Sequence, residues 1–329
     1  MNKKFKDTFH TEILPVPNLD KRPLWSVVIP TYNCAKYLRQ TLNSVLKQFP
    51  DSQLMEIIVV DDCSNEDNPE LVVEEFQAPI TFYRQPINVG KTENYATGIK
   101  MSKGEYIHLL HGDDFVNDGF YKKMEDLFGR HPKVGAAFCH CHYINEHNKV
   151  IGQTEILANE EGILDNFEET IAIWQRIQPP SIVFKREVYE MVGGYDQRLK
   201  YIEDWEFYVR ASVYFKFAYT PKTLANYRVF EGNSSSQSIK GGKRVGTIDQ
   251  VIKIMNGYLP ATMARRIKDQ RNYAASVYLL NYIPYLINSK DLKGFFVVSK
   301  AFLKYNHDIR LWGRWLRFIF QYRKFLKNV

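Results

Sequence analysis

Short runs of apolar, mostly β-branched residues alternate with amphipathic stretches through the first third of the chain. Trp25-Ser26-Val27-Val28-Ile29 stops at Pro30, which predicts a buried strand closed by a breaker. Across 36–47, Leu38, Thr41, Leu42, Val45 and Leu46 recur at three- to four-residue spacing and form one face of a helix. Glu56-Ile57-Ile58-Val59-Val60 predicts a second strand, running into Asp61-Asp62-Cys63-Ser64. Further strands are expected at 80–84 and 106–110, with a helix over 91–101 between them. Strands alternating with helices mean parallel βαβ units. Strands apolar throughout mean a sheet covered on both faces. Such sheets bind ligands beyond the carboxyl ends of their strands. The polar clusters at 30–33, 61–64 and Asp113-Asp114 should therefore meet in one crevice.

Farther along the pattern is mixed. Strands are expected at 134–139 and 181–184, a loop at Pro179-Pro180 and a helix over 203–213. The Ser- and Gly-rich stretch 229–242 reads as a mobile loop, and 245–327 as mostly helical without a repeat. This divides the chain into an N-terminal arm (1–24) with three prolines, an α/β domain (25–240) that changes character at 133, and a helical extension (241–329).

Charge sharpens that division. Residues 243–329 hold 17 Lys and Arg against 4 Asp and Glu, a net +13, which leaves −6 of the chain's +7 for the first 242 residues. An acidic section suits a metal and a basic one suits an anionic surface. Between 310 and 327, Trp312, Trp315, Ile319, Tyr322 and Leu326 recur at helical spacing, while Arg310, Arg314, Arg317, Lys324 and Lys327 fall largely on another side. That is a basic amphipathic helix with interfacial aromatics, and it predicts peripheral contact with an anionic membrane. No recognition motif accompanies the charge, so nucleic acid is not an expected partner. No run of 18 apolar residues occurs, so no spanning helix is expected. The first residues carry charge but no apolar core of a signal peptide. With only four cysteines, the expectation is a cytoplasmic protein with reduced thiols, peripheral on the inner face of the membrane.

The carboxylates carry the chemistry. Asp113 and Asp114 repel each other at a strand end, and a hard divalent cation, Mg²⁺ or Mn²⁺, would relieve that. The same pair could instead cap a helix starting near 117. Asp61-Asp62 could bond a nucleobase or ribose, or only cap its turn. The first βα turn, Pro30-Thr31-Tyr32-Asn33-Cys34, has no glycine, which excludes a dinucleotide fingerprint and a P-loop. Any nucleotide must be held by side chains and a metal. Glu203-Asp204 suits a helix N-terminus electrostatically and could also supply a general base. Phe138-Cys139-His140-Cys141-His142 has zinc-type residues, but on a strand its cysteines and histidines face opposite ways, so core packing is the better reading.

In order and spacing, Ser26-Val27-Val28-Ile29-Pro30-Thr31-Tyr32-Asn33, Ile58-Val59-Val60-Asp61-Asp62-Cys63-Ser64, Asn88-Val89-Gly90, Gly104-Glu105-Tyr106-Ile107 and Asp113-Asp114 resemble the inverting family 2 glycosyltransferases. Gly193-Gly194-Tyr195-Asp196, Glu203-Asp204-Trp205 and Tyr227-Arg228 resemble that family's acceptor half. The resemblance implies a GT-A fold: a mixed, mostly parallel sheet with flanking helices, a nucleotide-binding half over 25–133 and an acceptor half over 134–240. It implies a nucleotide-diphospho-sugar donor and a glycan or lipid-linked acceptor, with a role in cell-surface polysaccharide synthesis. Pro30 and Tyr32 would line the base pocket, and Asp62 would accept from a uracil or thymine ring nitrogen. Lys91 would lie near the nucleotide, Asp113 would contact ribose or donor sugar, and Asp114 would bind the metal. Asp204 would deprotonate the acceptor hydroxyl. Many relatives carry Asp-x-Asp-Asp where this chain has His111-Gly112-Asp113-Asp114. Two rival readings are a nucleotidyltransferase-like enzyme and a non-catalytic sugar-nucleotide-binding scaffold.

Overall fold

The computed structural model describes residues 9–17, 22–49, 51 and 53–326, with side-chain surroundings for all of these but 234–236 and 321–326. The chain forms two compact units, Met1–Phe167 with Arg176–Val229, and Glu168–Gln175 with Phe230–Val329.

The first unit opens with β1 (Trp25–Thr31), α1 (Ala35–Leu46), β2 (Met55–Asp61), α2 (Pro69–Glu74), β3 (Ile80–Arg84), α3 (Lys91–Met101) and β4 (Tyr106–Leu109). It continues through β5 (Phe115–Val116), α4 (Phe120–Arg130), β6 (Ala136–Ile144), β7 (Val150–Gln153) and β8 (Gly162–Ile163). After α5 (Phe167–Ile173), most of which belongs to the second unit, come β9 (Ile182–Lys185), α6 (Arg186–Val192), α7 (Glu203–Ser212) and β10 (Phe217–Arg228). Among the described residues these strands make one sheet in the order β3-β2-β1-β4-β9-β6-β10-β5, with β7 on β6 and β8 on β10. The pairs β1–β2, β2–β3, β1–β4 and β6–β10 are parallel, and β9 is antiparallel to both β4 and β6. The sheet is therefore mixed, with its longest registers parallel.

The strand order decides where the site is. From β1 the chain moves outward through β2 to β3, then returns through α3 to β4 on the other side of β1. Connections leave β1 and β4 in opposite directions, so a crevice opens beyond their carboxyl ends. Thr31 pairs with Asp61 and Val28 with Leu109, which brings the turns after β1, β2 and β4 to one edge.

Apolar runs form these strands because both sheet faces are covered. Val27, Ile29, Ile57 and Val59 share a core with Leu38, Leu42 and Val45 of α1 and Phe120, Met124 and Leu127 of α4. On the other face, Val28 and Val60 lie under Gly98 of α3. Each such buried side chain contributes about 1.5–3 kcal/mol. On β6, Cys139 and Cys141 point into the core, while His140 bonds Thr223 Oγ1 and the Thr154 carbonyl, both at 2.8 Å. All four cysteines are free thiols. The described part of the N-terminal segment is anchored rather than linker-like. Gly194 N donates to Thr11 O (2.8 Å), Gln197 N donates to Phe9 O (3.0 Å), and Ile13 is buried.

The second unit contains α8 (Ser234–Ile239), α9 (Lys243–Tyr258), α10 (Ala261–Arg266), α11 (Lys268–Asn288), α12 (Leu292–Tyr305) and α13 (Ile309–Leu326). The stretch expected to be a mobile loop instead holds α8. Gly241 (φ 65°) and Gly242 (φ 68°) then take the left-handed backbone that separates α8 from α9, where a side chain would be strained. The expected aromatic stripe of α13 is also divided. Trp312 and Trp315 pack on Phe302 of α12, with ring centroids 6.0 and 5.9 Å away, and Leu311 and Phe318 are buried. Among the described residues, no helix is long and apolar enough to cross a membrane.

Candidate active site

The turn after β4 is pressed against β1. Leu110 N donates to Val28 O (2.9 Å) and Gly112 N to Pro30 O (3.0 Å). A Cβ on Gly112 would sit 2.9 Å from Cys34 Sγ and 3.3 Å from Pro30 O, so the approach requires glycine. Asp114 is buried. Its Oδ1 accepts from Arg228 N at 2.8 Å, and its Oδ2 has no hydrogen-bond partner. Arg228, at the end of β10, also donates from Nε to Asp113 O (2.8 Å) and from Nη2 to Gln40 Oε1 (2.8 Å). Its guanidinium lies 4.4 Å from the centre of the Tyr37 ring. One arginine thus ties the acidic turn to α1 and β10.

Burial dominates the electrostatics here. It pushes Asp113 up to about 6, and it pushes Asp114 well above the carboxylate range, with the Asp113 charge adding to the effect. The Arg228 N–H and guanidinium oppose this on Asp114 without cancelling it. His111 is driven down to about 3, first by burial and then by the Lys91 charge, so its ring is neutral at pH 7.

The turns after β1 and β2 form the opposite wall. Pro30 is buried within the sheet, with its carbonyl already accepting from Gly112 N, so it stands behind the crevice surface. Tyr32 is exposed, and its hydroxyl reaches Asn65 Oδ1 at 3.4 Å. Asn33 (φ 49°) staples the two turns, its Oδ1 accepting from Asn65 N (2.9 Å) and Glu66 N (3.1 Å). Asp61 is committed to Arg84 Nε at 2.7 Å. Asp62 accepts from Val89 N (2.7 Å) and Gly90 N (3.0 Å), so it orders the turn leading into α3. Burial raises Asp62 above the usual carboxylate value, against those two N–H groups.

The third wall is the start of α7. Ile202, just before it, has φ 54°, an outlier for a β-branched residue and the kind of strain that collects at functional sites. Glu203 is buried, with Oε2 2.8 Å from Lys91 Nζ at the start of α3. Burial raises Glu203, while Lys91 pulls it down. Asp204 is partly exposed and its Oδ1 accepts from Trp205 N at 2.9 Å. Tyr95 links the walls. Its ring stacks on His111 (5.3 Å, 23°), and its hydroxyl, raised first by burial, feels the charges of Glu203, Asp204 and Asp113. The acidic turn and the acidic helix start are therefore neighbours of one side chain. Tyr95 has no local signature, and the ties of Arg228 to Asp113 and Asp114 join residues more than a hundred positions apart.

Two clusters among the described residues could hold a metal. His10, Asp196 and Glu206 form one, but Arg198 holds Asp196 (2.6 Å) and the buried Arg210 holds Glu206 (2.9 Å), so cations already answer those charges. His111, Asp113 and Asp114 form the other, with one donor atom of each within 4.8 Å of the others. There Asp114 Oδ2 is buried without a hydrogen-bond partner, and His111 Nδ1 lies 3.9 Å from it. That donor set fits a divalent cation.

Comparison with known proteins agrees with this geometry. The family model for glycosyl transferase family 2 matches residues 26–191. An uncharacterized glycosyltransferase of Haemophilus influenzae is 25% identical over 291 residues, 86% of this chain and 89% of that protein. The poly(ribitol-phosphate) β-N-acetylglucosaminyltransferase TarP of Staphylococcus aureus is 35% identical over 105 residues, 31% of each chain. The structure of S. aureus TarS 1–349 with UDP-GlcNAc superposes with TM-score 0.62 at 18% identity, over 92% of this chain and 81% of that one. The mannosyltransferase PcManGT of Pyrobaculum calidifontis, with GDP-Man and Mn²⁺, gives 0.57 at 16% identity over 98% and 90%. A crevice at the strand switch, an acidic turn and an acidic helix start, read with a family match over half its length, show that the chain belongs to glycosyltransferase family 2 and is a glycosyltransferase with the GT-A fold.

Proposed function

We propose that this glycosyltransferase is inverting and metal-dependent, and that it moves a sugar from a nucleoside diphosphate onto a glycan or lipid-linked acceptor in cell-surface polysaccharide synthesis. One observation carries the reading: half-buried Asp113, beside a buried Asp114 whose Oδ2 has no hydrogen-bond partner, and a separate, partly exposed carboxylate, Asp204, both act on the Tyr95 hydroxyl. The nucleotide sugars held by TarS and PcManGT, and the Mn²⁺ with the latter, support the donor class and the metal. The polymer named for TarP supports the acceptor class.

In this reading the exposed Tyr32 ring is a platform for the base, and Asp62 accepts from its ring nitrogen while ordering the Val89-Gly90 turn. Pro30 backs the base pocket, Asp113 contacts ribose or donor sugar, and Lys91 offers its charge to the diphosphate. Asp114, with Asp113 beside it, holds Mg²⁺ or Mn²⁺, which when bound offsets charge on the leaving diphosphate. Asp204 takes the proton of the acceptor hydroxyl. The acceptor oxygen bonds the anomeric carbon as the bond to the diphosphate breaks, on opposite faces, so configuration inverts. Nucleotidyl transfer would leave Asp204 without a task, and a binding scaffold would need no base at all. Titration calorimetry with UDP, GDP and dTDP tests the reading. One diphosphate should bind at least tenfold more tightly with Mn²⁺ than without, and failure of all three would overturn it.

The second unit supports work at the inner face of a membrane. Phe296 (63% exposed) and Leu303 of α12 and Leu316 and Phe320 (65%) of α13 leave apolar surface uncovered, and Arg310, Arg314 and Arg317 are exposed on α13. Lys324 and Lys327 lie outside the residues with described side chains. A basic residue near an anionic leaflet contributes about 1 kcal/mol, so reversing two costs at least about 2 kcal/mol, roughly thirtyfold in partitioning. Arg314→Glu with Arg317→Glu should release the protein from phosphatidylglycerol vesicles by that factor, with the melting temperature as the control because Arg314 also donates to Asn281 Oδ1 (2.8 Å). Since Trp312 and Trp315 are internal contacts, this pair is a cleaner test than truncation. Unchanged sedimentation would assign the basic face to solvent.

A further inference from the structure

We propose that His111 is a metal ligand, giving this enzyme a mixed nitrogen and oxygen donor set that favours Mn²⁺ over Mg²⁺. The inference rests on the metal-dependent reading above and concerns one further residue. The His111 Nδ1 lies 3.9 Å from Asp114 Oδ2. That is too long for a hydrogen bond. It is within the span of two donors on one ion, which at about 2.1 Å each reaches no more than about 4.2 Å. Asp114 is 1% exposed, and its Oδ2 has no partner because Arg228 N engages only Oδ1.

The ring is not free to turn away. It stacks on Tyr95 at 23° and 5.3 Å, and Tyr95 is itself packed edge-on against Tyr195 at 5.3 Å. The backbone is equally fixed, since Asp114 N donates to His111 O (3.0 Å) and Gly112 is wedged against Cys34 and Pro30. Two neighbouring donors that do not bond each other, one on a buried carboxylate without a partner and the other on a half-buried ring held in place, form a cation site. Imidazole raises affinity for Mn²⁺ and later first-row metals, whereas Mg²⁺ prefers oxygen alone.

The experiment uses the full chain with UDP and Mn²⁺ as the probe, and reads metal binding rather than activity. Pulsed electron paramagnetic resonance of bound Mn²⁺ should show ¹⁴N modulation from a coordinated imidazole. In His111→Ala the modulation should vanish and Mn²⁺ affinity should fall at least about tenfold, the scale on which even outer-shell partners act. In His111→Asp the ligand is restored as oxygen. Mn²⁺ should still bind, without ¹⁴N modulation, and the wild-type preference over Mg²⁺ should narrow several-fold. Thermal melting without metal checks that each variant folds. Should His111→Ala be unfolded, the ¹⁴N signal of the wild type and the metal ratio of His111→Asp still decide. Bound Mn²⁺ without ¹⁴N modulation in the wild type overturns the ligand role alone. No bound Mn²⁺ in the wild type overturns it together with the metal-dependent reading.

Discussion

Replacing Asp204 by Asn should leave donor binding within a few-fold of wild type and reduce turnover by roughly 10²–10⁴, the usual contribution of general-base catalysis. The substitution is nearly isosteric. The carboxylate Oδ1 that accepts from Trp205 N at 2.9 Å has a counterpart in the Asn carbonyl, so the start of α7 keeps that bond. Loss of one negative charge from the first helical turn costs about 0.3–1 kcal/mol of helix stability, too little to unfold a unit whose α7 is otherwise almost wholly buried. The variant thus loses proton acceptance and one charge while keeping its shape. Asp204 is the better acceptor than Glu203 on two grounds. It is the more exposed of the pair, and Glu203 is buried against Lys91 at 2.8 Å. Calorimetry for the donor and a coupled assay of nucleotide release for turnover separate the two effects. Turnover near wild type would mean the base lies elsewhere, with Glu203 next to be tested.

The sequence made some of this site legible for a physical reason. Strands β1, β2 and β4 are buried on both faces, so they read as unbroken apolar runs, and the first polar residues after them have to lie at the sheet edge. That logic found Asp62, Asp113 and Asp114 without coordinates. It also found α1, whose inner face repeats at helical spacing. What escaped is set by distant partners. Arg228 holds Asp114 across 114 positions of sequence, and Tyr95 meets His111 only because α3 folds back over β1 and β2. The short strands β5 and β8, two residues each, exist through pairing with β10 and carry no pattern of their own. Burial also separates residues that a motif treats alike. Tyr32 is open to a ligand, while Pro30, two positions earlier, is closed off by Gly112. In α13 a single helical stripe of aromatics was legible, but which of its members face inward depends on Phe302 of α12.

Asp114→Asn should abolish the metal dependence of nucleotide binding and lower turnover by at least about 10², since several kilocalories of charge stabilisation on the leaving group go with the metal. Asn is chosen over Ala because Arg228 N donates to Oδ1 at 2.8 Å. Alanine would leave that buried N–H unpaired, at a cost of about 1–3 kcal/mol, and would confuse folding with binding. Asparagine keeps an acceptor there and removes only the charge. The wild-type pair is an electrostatic burden without a cation, because burial and the neighbouring Asp113 both disfavour the Asp114 anion. The metal-free variant should therefore melt at or above the wild type. Mn²⁺ with UDP should then raise only the wild-type melting temperature, because a ligand stabilises the state that binds it. The two melting curves should thus exchange order on adding metal. A variant that is merely misfolded would melt lower under both conditions. If Asp114→Asn retains both metal-dependent affinity and the metal-induced rise in melting temperature, Asp114 is not a ligand, and the partner of the acidic turn is Arg228 alone.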